Sequence, residues 1–133
     1  MTQIVDGEVL YRYANPAAFP PGQTEIPMSI FNDPEMSCDW EKLQAAPEVS
    51  LHVKLGKSVI VEIKICDAIR NPVNPKRTNQ AVADWKQEIV HDPLAADPTD
   101  QFTPNDAHAL IKGRKKAAVL DALRENSKFR SAT

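Results

Sequence analysis

Proline constrains this chain more than any other residue type. The 133-residue sequence contains eleven prolines and only four glycines. Proline has no backbone N–H and biases the preceding residue towards an extended conformation, so it interrupts helices and interior strands. Apolar segments flank the three main groups of prolines, which therefore predict three loops between short elements rather than a disordered tail. The groups are Pro16, Pro20, Pro21 and Pro27; Pro72 and Pro75; and Pro93, Pro98 and Pro104.

Strands are predicted where apolar residues alternate between these loops. The clearest is Ser58–Ile65, in which valine or isoleucine occupies every second position. Glu8–Tyr13 alternates in the same way, and Met28–Phe31 is expected to be a short extended piece. Ala81–Val90 is ambiguous, with its end, Glu88–His91, more typical of a strand, and Ala107–Lys112 completes the set of predicted strands.

The best helical pattern is Arg114–Asn126, where alanine, valine and leucine recur at helical spacing. A helix starting at Pro104 is the rival interpretation of Ala107–Lys112, because alanine and leucine favour helices. Ser37 or Asp39 is a suitable N-cap for the first of three shorter helical segments. These segments are Trp40–Ala45, Glu48–Leu55 and Cys66–Arg70.

The patterns together predict an α+β fold, a small single-domain mixed sheet with two or three helices. The C-terminal amphipathic helix is expected to pack on the sheet. A chain of this length buries enough apolar surface to fold as one domain without a disulfide or metal. We expect an ordered core over residues 8–126 and a frayed tail over residues 127–133.

Composition narrows the class of protein. The net charge is −2, so no global field attracts nucleic acid or an acidic membrane. Cys38 and Cys66 lack metal-ligand spacing and are expected to be reduced thiols. Met1–Asp6 is polar, and no stretch approaches the roughly 18 apolar residues of a membrane span. These features predict a cytoplasmic protein that has no membrane partner.

One candidate site combines two histidines with neighbouring polar residues: His91, Asp92, Asn105, Asp106 and His108. If the strands that carry the histidines are neighbours, both imidazoles can face one pocket and divide general acid and base work. An aspartate can then orient one imidazole. The plainer alternative is that each histidine hydrogen-bonds a nearby carbonyl. The spacing matches no metal signature, so no metal ligand is expected.

A second candidate group consists of Arg12, Ser29, Ser37 and Asp39. An arginine on a strand can bind a phosphate or carboxylate through two hydrogen bonds, although such residues more commonly pair with a surface acid. The serines and the aspartate are more typical of helix caps, and no G-x-S-x-G segment surrounds either serine. The four scattered glycines form no phosphate-binding loop, so no cofactor is expected.

The third feature is a basic C-terminal segment. Between Arg114 and Arg130, six basic residues outnumber two acidic ones. Lys115 and Lys116 are the candidate contacts to nucleic acid phosphates. A solvated helix face is the more common explanation of such a pattern.

The order of these motifs resembles a family of small, uncharacterised bacterial proteins. In that family a segment ending in S-V-D precedes V-x-H-D-P-L-x-x-N-P-A-H-A-x-V-x-G and a basic helix. The resemblance covers Leu10–Asn126, and its specific part is Val90–Gly113. Asp106 replaces a proline of the family pattern, and the loop before Asn105 is longer. The resemblance implies site positions at Ser29, Phe31, Ser37, Asp39, His91, Asp92, Pro93, Asn105, His108 and Gly113.

These patterns leave three function classes open. The favoured one is a non-catalytic binding or regulatory module for a small anionic ligand or a partner protein. Small bacterial proteins of this kind are often encoded in accessory or defence-type operons. The second class is a small acid–base enzyme acting on a phosphoester or nucleotide, including an NAD-using transferase. The third is nucleic-acid binding through the C-terminal helix, which is not favoured.

Overall fold

Six antiparallel strands form one sheet in the order β4-β5-β2-β1-β3-β6. The computed structural model describes residues 3–19, 22, 24–50, 53, 56–57, 59–74, 76, 81–94 and 105–130. The strands are β1 Val9–Ala14, β2 Glu35–Trp40, β3 Val59–Lys64, β4 Glu88–His91, β5 His108–Lys112 and β6 Ser127–Phe129. Together with the helices, this sheet makes the small α+β domain that the patterns predict.

Among the described residues, two α-helices with defined bounds accompany the sheet: α1, Asp67–Arg70, and α2, Ala117–Glu125. Helix α2 buries Val119 and Leu123 against the sheet, as its amphipathic pattern predicts. No helix in the described part of the chain has the length and apolar character needed to cross a membrane. In the connections that the structure describes there are four 3-10 helices: Pro16–Ala18, Met28–Phe31, Pro47–Val49 and Ala83–Trp85.

The two faces of the sheet differ in what covers them. Successive residues of a strand point to opposite faces, so each strand contributes one set of side chains to each face. The core face carries the main apolar cluster, in which Leu10, Trp40 and Ile63 pack with Leu123 of α2. The opposite face, here called the outer face, carries a small cluster around Tyr11 and two further residues. Those two residues are Tyr13 and Ile60.

Most of the predicted strands are confirmed. Strands β1, β3 and β4 lie within two residues of their predicted bounds. Strand β5 confirms the strand interpretation of Ala107–Lys112, and the rival helix is wrong. Helix α2 begins at Ala117 rather than Arg114, since the chain turns at Gly113 with φ 147° before the helix starts. The single helical turn predicted at Cys66–Arg70 is confirmed as α1.

Two predicted elements near β2 are wrong. Met28–Phe31 is a 3-10 helix rather than an extended piece. The helix over Trp40–Ala45 is absent, because β2 continues to Trp40 and residues 41–43 form a turn. Ser37 and Asp39 therefore lie inside a strand and cap no helix.

The predicted helix over Glu48–Leu55 is described only in part, and the predicted tail needs correction. A 3-10 helix spans Pro47–Val49 and Val53 is α-helical, while residues 51, 52, 54 and 55 lie outside the described residues. The frayed tail is wrong for its first part, since Ser127–Phe129 pairs with β3 as strand β6. Residues 131–133 lie outside the described residues.

Candidate functional site

A chain of hydrogen bonds on the outer face joins Ser37, His108 and Asp92. The Ser37 Oγ lies 3.2 Å from His108 Nε2. The other ring nitrogen, Nδ1, lies 3.1 Å from Asp92 Oδ2 and 2.9 Å from the Asp92 carbonyl oxygen. Serine, histidine and aspartate in this order are the arrangement that activates a serine hydroxyl in hydrolases of unrelated folds.

The contacts of His108 fix the roles of its two ring nitrogens. The two atoms near Nδ1, a carboxylate oxygen and a carbonyl oxygen of Asp92, can only accept hydrogen bonds. Nδ1 therefore carries the proton and donates to them. In the neutral imidazole, Nε2 is then an acceptor, and the Ser37 hydroxyl donates to it. This is the tautomer that a general base needs for taking the proton from a serine.

Strand register brings these three residues together. Asp39 of β2 pairs with His108 of β5, so His108 shares the outer face with Asp39 and, two residues earlier, with Ser37. Asp92 directly follows β4, and its backbone N–H donates to the His108 carbonyl at 2.8 Å. The His108 side chain is 8% exposed and that of Asp92 is 45% exposed. The chain of hydrogen bonds therefore runs from the half-buried Ser37 through the buried His108 imidazole to the partly exposed Asp92 carboxylate.

Asp39 is the centre of a second polar group beside this chain. It is fully buried, and its Oδ2 accepts hydrogen bonds from Tyr13 Oη at 2.9 Å and Ser50 Oγ at 2.7 Å. Its Oδ1 accepts from Asn105 Nδ2 at 2.8 Å. Burial, together with the negative charge of Asp39, raises the pKa of Tyr13 far above its ordinary value. A buried carboxylate with these donors is stabilised in place rather than presented to a ligand.

Asn105 connects Asp39 to the segment that carries His108. Its side-chain Oδ1 accepts from the backbone N–H of Ala107 at 3.1 Å, immediately before β5 begins. Its backbone exchanges hydrogen bonds with Leu94, both at 2.9 Å. Asn105 and Leu94 thus close the base of the connection between β4 and β5, whose residues 95–104 lie outside the described residues. We infer that Asp39 and Asn105 position the backbone on which His108 stands.

His91 lies on the other face of the sheet from His108. It pairs with Ala109, which belongs to the core face, and its ring stacks edge-on against Trp40 at 5.1 Å. The Nε2 of His91 bonds the Asp106 carbonyl oxygen at 2.6 Å, so this nitrogen is the donor. The expectation that both imidazoles face one pocket is therefore wrong, because neighbouring positions in a strand alternate between faces.

The side chains of Arg12 and Ser29 are not part of the hydrogen-bond chain formed by Ser37, His108 and Asp92. Arg12 projects from the core face and donates to the backbone carbonyls of Ile30 and Ser37, both at 2.9 Å. These bonds fasten the 3-10 helix at Met28–Phe31 to the sheet. Ser29 is exposed within that helix. Neither residue stands where it can hold an anion bound at Ser37.

The basic C-terminal segment is less available than its sequence indicates. Lys115 folds back and donates to the carbonyls of Ile111 and Gly113, and burial lowers its pKa to about 8. Arg130 forms ion pairs with Glu48 and with one other acid, Glu62. Lys116 is exposed.

The structure adds two residues to the site that the sequence does not single out. Tyr13 and Ser50 join the Asp39 group, although they lie far from it along the sequence. The alternation of Tyr11 and Tyr13 in β1 is a signal for a shared face, whereas nothing local marks Ser50. Among the described residues, no group of three or more histidine, cysteine, aspartate or glutamate side chains can hold a metal ion.

Comparisons of this chain with protein-family models, with curated proteins and with solved structures found no match. The resemblance to small bacterial proteins therefore stays a prediction from motifs. The geometry around Ser37, His108 and Asp92 is the basis on which a function can be argued.

Proposed function

We propose that the protein is a serine-dependent hydrolase of esters, with Ser37 as the nucleophile and His108 as the general base. Asp92 is the positioning residue that holds the His108 ring in its reactive tautomer. The observation that carries this proposal is the continuous hydrogen-bond chain from Ser37 Oγ through both nitrogens of His108 to the Asp92 carboxylate. It develops the acid–base enzyme class of the sequence analysis, with Ser37 replacing His91 as the partner of His108.

The reaction proceeds through an acyl group on Ser37. The Oγ attacks the ester carbonyl carbon, and its proton passes to His108 Nε2 as the new C–O bond forms. The alcohol then leaves with that proton. Water, activated by the same imidazole, attacks the acyl-serine, releases the carboxylic acid and restores the hydroxyl of Ser37.

The proposal favours activated esters over amides. The negative oxygen of the tetrahedral intermediate needs preorganised donors, and each such donor contributes roughly 100-fold to 1,000-fold in rate. The hydrogen bonds of the described residues assign no such donor at Ser37. Esters with good leaving groups depend least on this stabilisation, so they are the substrates to test first.

The two other function classes have less support. A small anion would have to compete with the hydrogen bond between Asp39 and Asn105, which already engages two of the predicted binding residues. Contacts to nucleic acid would have to use a segment in which Lys115 bonds backbone carbonyls and Arg130 pairs with acids. Both classes stay predictions, and no specific contact among the described residues favours either.

Covalent labelling with an alkyl fluorophosphonate tests the proposal. The reagent phosphonylates activated serine hydroxyls with loss of fluoride, and peptide mapping by mass spectrometry locates the adduct. We expect a single adduct on Ser37 and no adduct in Ser37→Ala. Ser29→Ala, which removes an exposed serine, is the matched control and should label at the wild-type rate.

Asp92→Asn tests whether the Asp92 carboxylate sets the tautomer of His108 or merely contacts the ring. The amide can donate to His108 Nδ1 and so favours the wrong tautomer, and we expect labelling to slow by about tenfold or more. Labelling of Ser37→Ala at the wild-type rate would disprove the proposal. So would an adduct in the wild type that maps to a serine other than Ser37.

A further inference from the structure

The outer face of β2, β5 and β4 is arranged in rows across the strands. Ser37 pairs with Leu110, and Leu110 pairs with Val90 on the next strand. Residues directly opposite one another in an antiparallel pair have Cβ atoms about 4.5–5.5 Å apart. A serine hydroxyl therefore stands at one end of a short apolar strip, which is here called the Leu110–Val90 strip.

Within the described part of the chain, neither apolar cluster uses the side chains of this strip. Leu110 and Val90 are both half-buried, and among the described residues they belong neither to the core-face cluster nor to the cluster around Tyr11. They lie beside His108, which is two residues before Leu110 on the same face of β5. An acyl group bonded to Ser37 Oγ passes over these two side chains if it extends along the row.

A row of charged residues lies along one side of the Leu110–Val90 strip. The next row across the same strands is Glu35, Lys112 and Glu88, since Lys112 pairs with both acids. Two carboxylates and one ammonium give this row a net negative charge. A phosphate or carboxylate on the acyl side of a substrate would be repelled there, whereas an uncharged chain would not.

We infer that the protein acts on esters whose acyl group is apolar and uncharged, and that this group lies on the Leu110–Val90 strip. The inference rests on the proposed function and adds the substrate class. It replaces the phosphoesters and nucleotides of the sequence analysis with carboxylic esters.

A series of 4-nitrophenyl esters measures the contribution of the strip. Acetate, butyrate and hexanoate differ only in the length of the acyl chain. Each methylene that leaves water for an apolar surface contributes up to about fourfold, so kcat/KM should rise along the series by up to about that factor for each carbon. Leu110→Ser should flatten this dependence. Leu43→Ser, which changes an exposed leucine in the turn after β2, is the matched control and should preserve it.

A charged acyl group tests the acidic row. The 4-nitrophenyl hemisuccinate carries a carboxylate at the end of its acyl chain, and butyrate is its neutral counterpart. We expect the hemisuccinate to react more slowly than the butyrate, and Glu35→Gln together with Glu88→Gln to narrow the difference. A kcat/KM that is equal for all chain lengths, or higher for the hemisuccinate, overturns the inference about the acyl group. If Ser37 is still labelled in that case, the proposed function stands. Absence of both ester hydrolysis and labelling overturns the two together.

Discussion

His91 and His108 point to opposite faces of one sheet, although their strands are direct neighbours. His91 pairs with Ala109, one residue after His108, and this single position decides which face each ring occupies. The ring of His91 contacts Trp40 on the core face, whereas His108 lies between Ser37 and Asp92 on the outer face. The two histidines therefore have different roles: His91 packs and His108 is placed for chemistry.

Loss of the Asp39 carboxylate should destabilise the fold strongly. In Asp39→Ala, the donors of Tyr13, Ser50 and Asn105 lose a buried acceptor, and unsatisfied buried donors cost about 1–3 kcal/mol each. Removal of the buried charge also removes its desolvation cost, which offsets part of this loss, so we expect the free energy of unfolding to fall by about 2–4 kcal/mol in urea titrations. Asp121→Ala on the exposed side of α2 is the control, and its change should stay within about 0.5 kcal/mol.

The two tyrosines should resist ionisation in the folded protein. Burial raises the pKa of Tyr11 and of Tyr13, and the neighbouring acids Glu41 and Asp39 raise them further. Because the folded state holds these protons and the unfolded state releases them near pH 10, the free energy of unfolding falls as the pH rises above about 10. The chain has only these two tyrosines, so the phenolate absorbance reports on both. We expect it to appear together with the loss of the circular dichroism signal, and a phenolate signal near pH 10 in the folded protein would contradict this.

Gly113→Ala should be far more harmful than Gly56→Ala. A Cβ at Gly113 would lie 2.6 Å from Gln87 Nε2 and 2.7 Å from the Lys86 carbonyl oxygen, while a Cβ at Gly56 would meet no atom of the described residues within 4 Å. Both glycines have positive φ, so the backbone strain of about 1–2 kcal/mol applies to each. We expect thermal unfolding to show an additional loss of about 1–3 kcal/mol at Gly113 alone. Equal losses would show that the contact with Gln87 relaxes freely.

The two thiols should differ in reactivity. Cys38 is fully buried in β2, and burial raises its pKa to about 12, while Cys66 is partly exposed. Since the thiolate is the reactive form, a disulfide reagent should modify one thiol in the folded protein and two in denaturant. Cys66→Ser should abolish the fast reaction, and Cys38→Ser should leave it unchanged.

Sequence patterns predict the parts of this fold whose signals are local. The alternation within Ser58–Ile65 is sufficient to predict β3, and the apolar stripe of Arg114–Asn126 is sufficient to predict α2. The sequence of strand β2 resembles a helix start because Ser37 and Asp39 are also typical helix caps. Only the pairing of β2 with β1 and β5 distinguishes the two cases, and that pairing is not local.

Sequence patterns single out polar residues of the candidate site but not their arrangement. The structure brings five of them together: His108, Asp92, Ser37, Asp39 and Asn105. Which of them bond one another depends on strand register, because a shift of one residue moves a side chain to the other face. For the same reason, spacing along the sequence groups His91 with His108 and separates Ser37 from both.

The most direct test of the account compares His108→Gln with His91→Gln. The measurement is the second-order rate constant for phosphonylation of Ser37, made at a temperature where circular dichroism shows both variants folded. Removal of a general base costs roughly 100-fold or more, so we predict that His108→Gln loses at least this much. We predict that His91→Gln keeps the wild-type rate and loses only stability, about 1–3 kcal/mol, from the ring contact with Trp40 and the hydrogen bond to the Asp106 carbonyl. Equal rates in the two variants, or a slower rate in His91→Gln, would contradict the assignment of His108 as the base for Ser37.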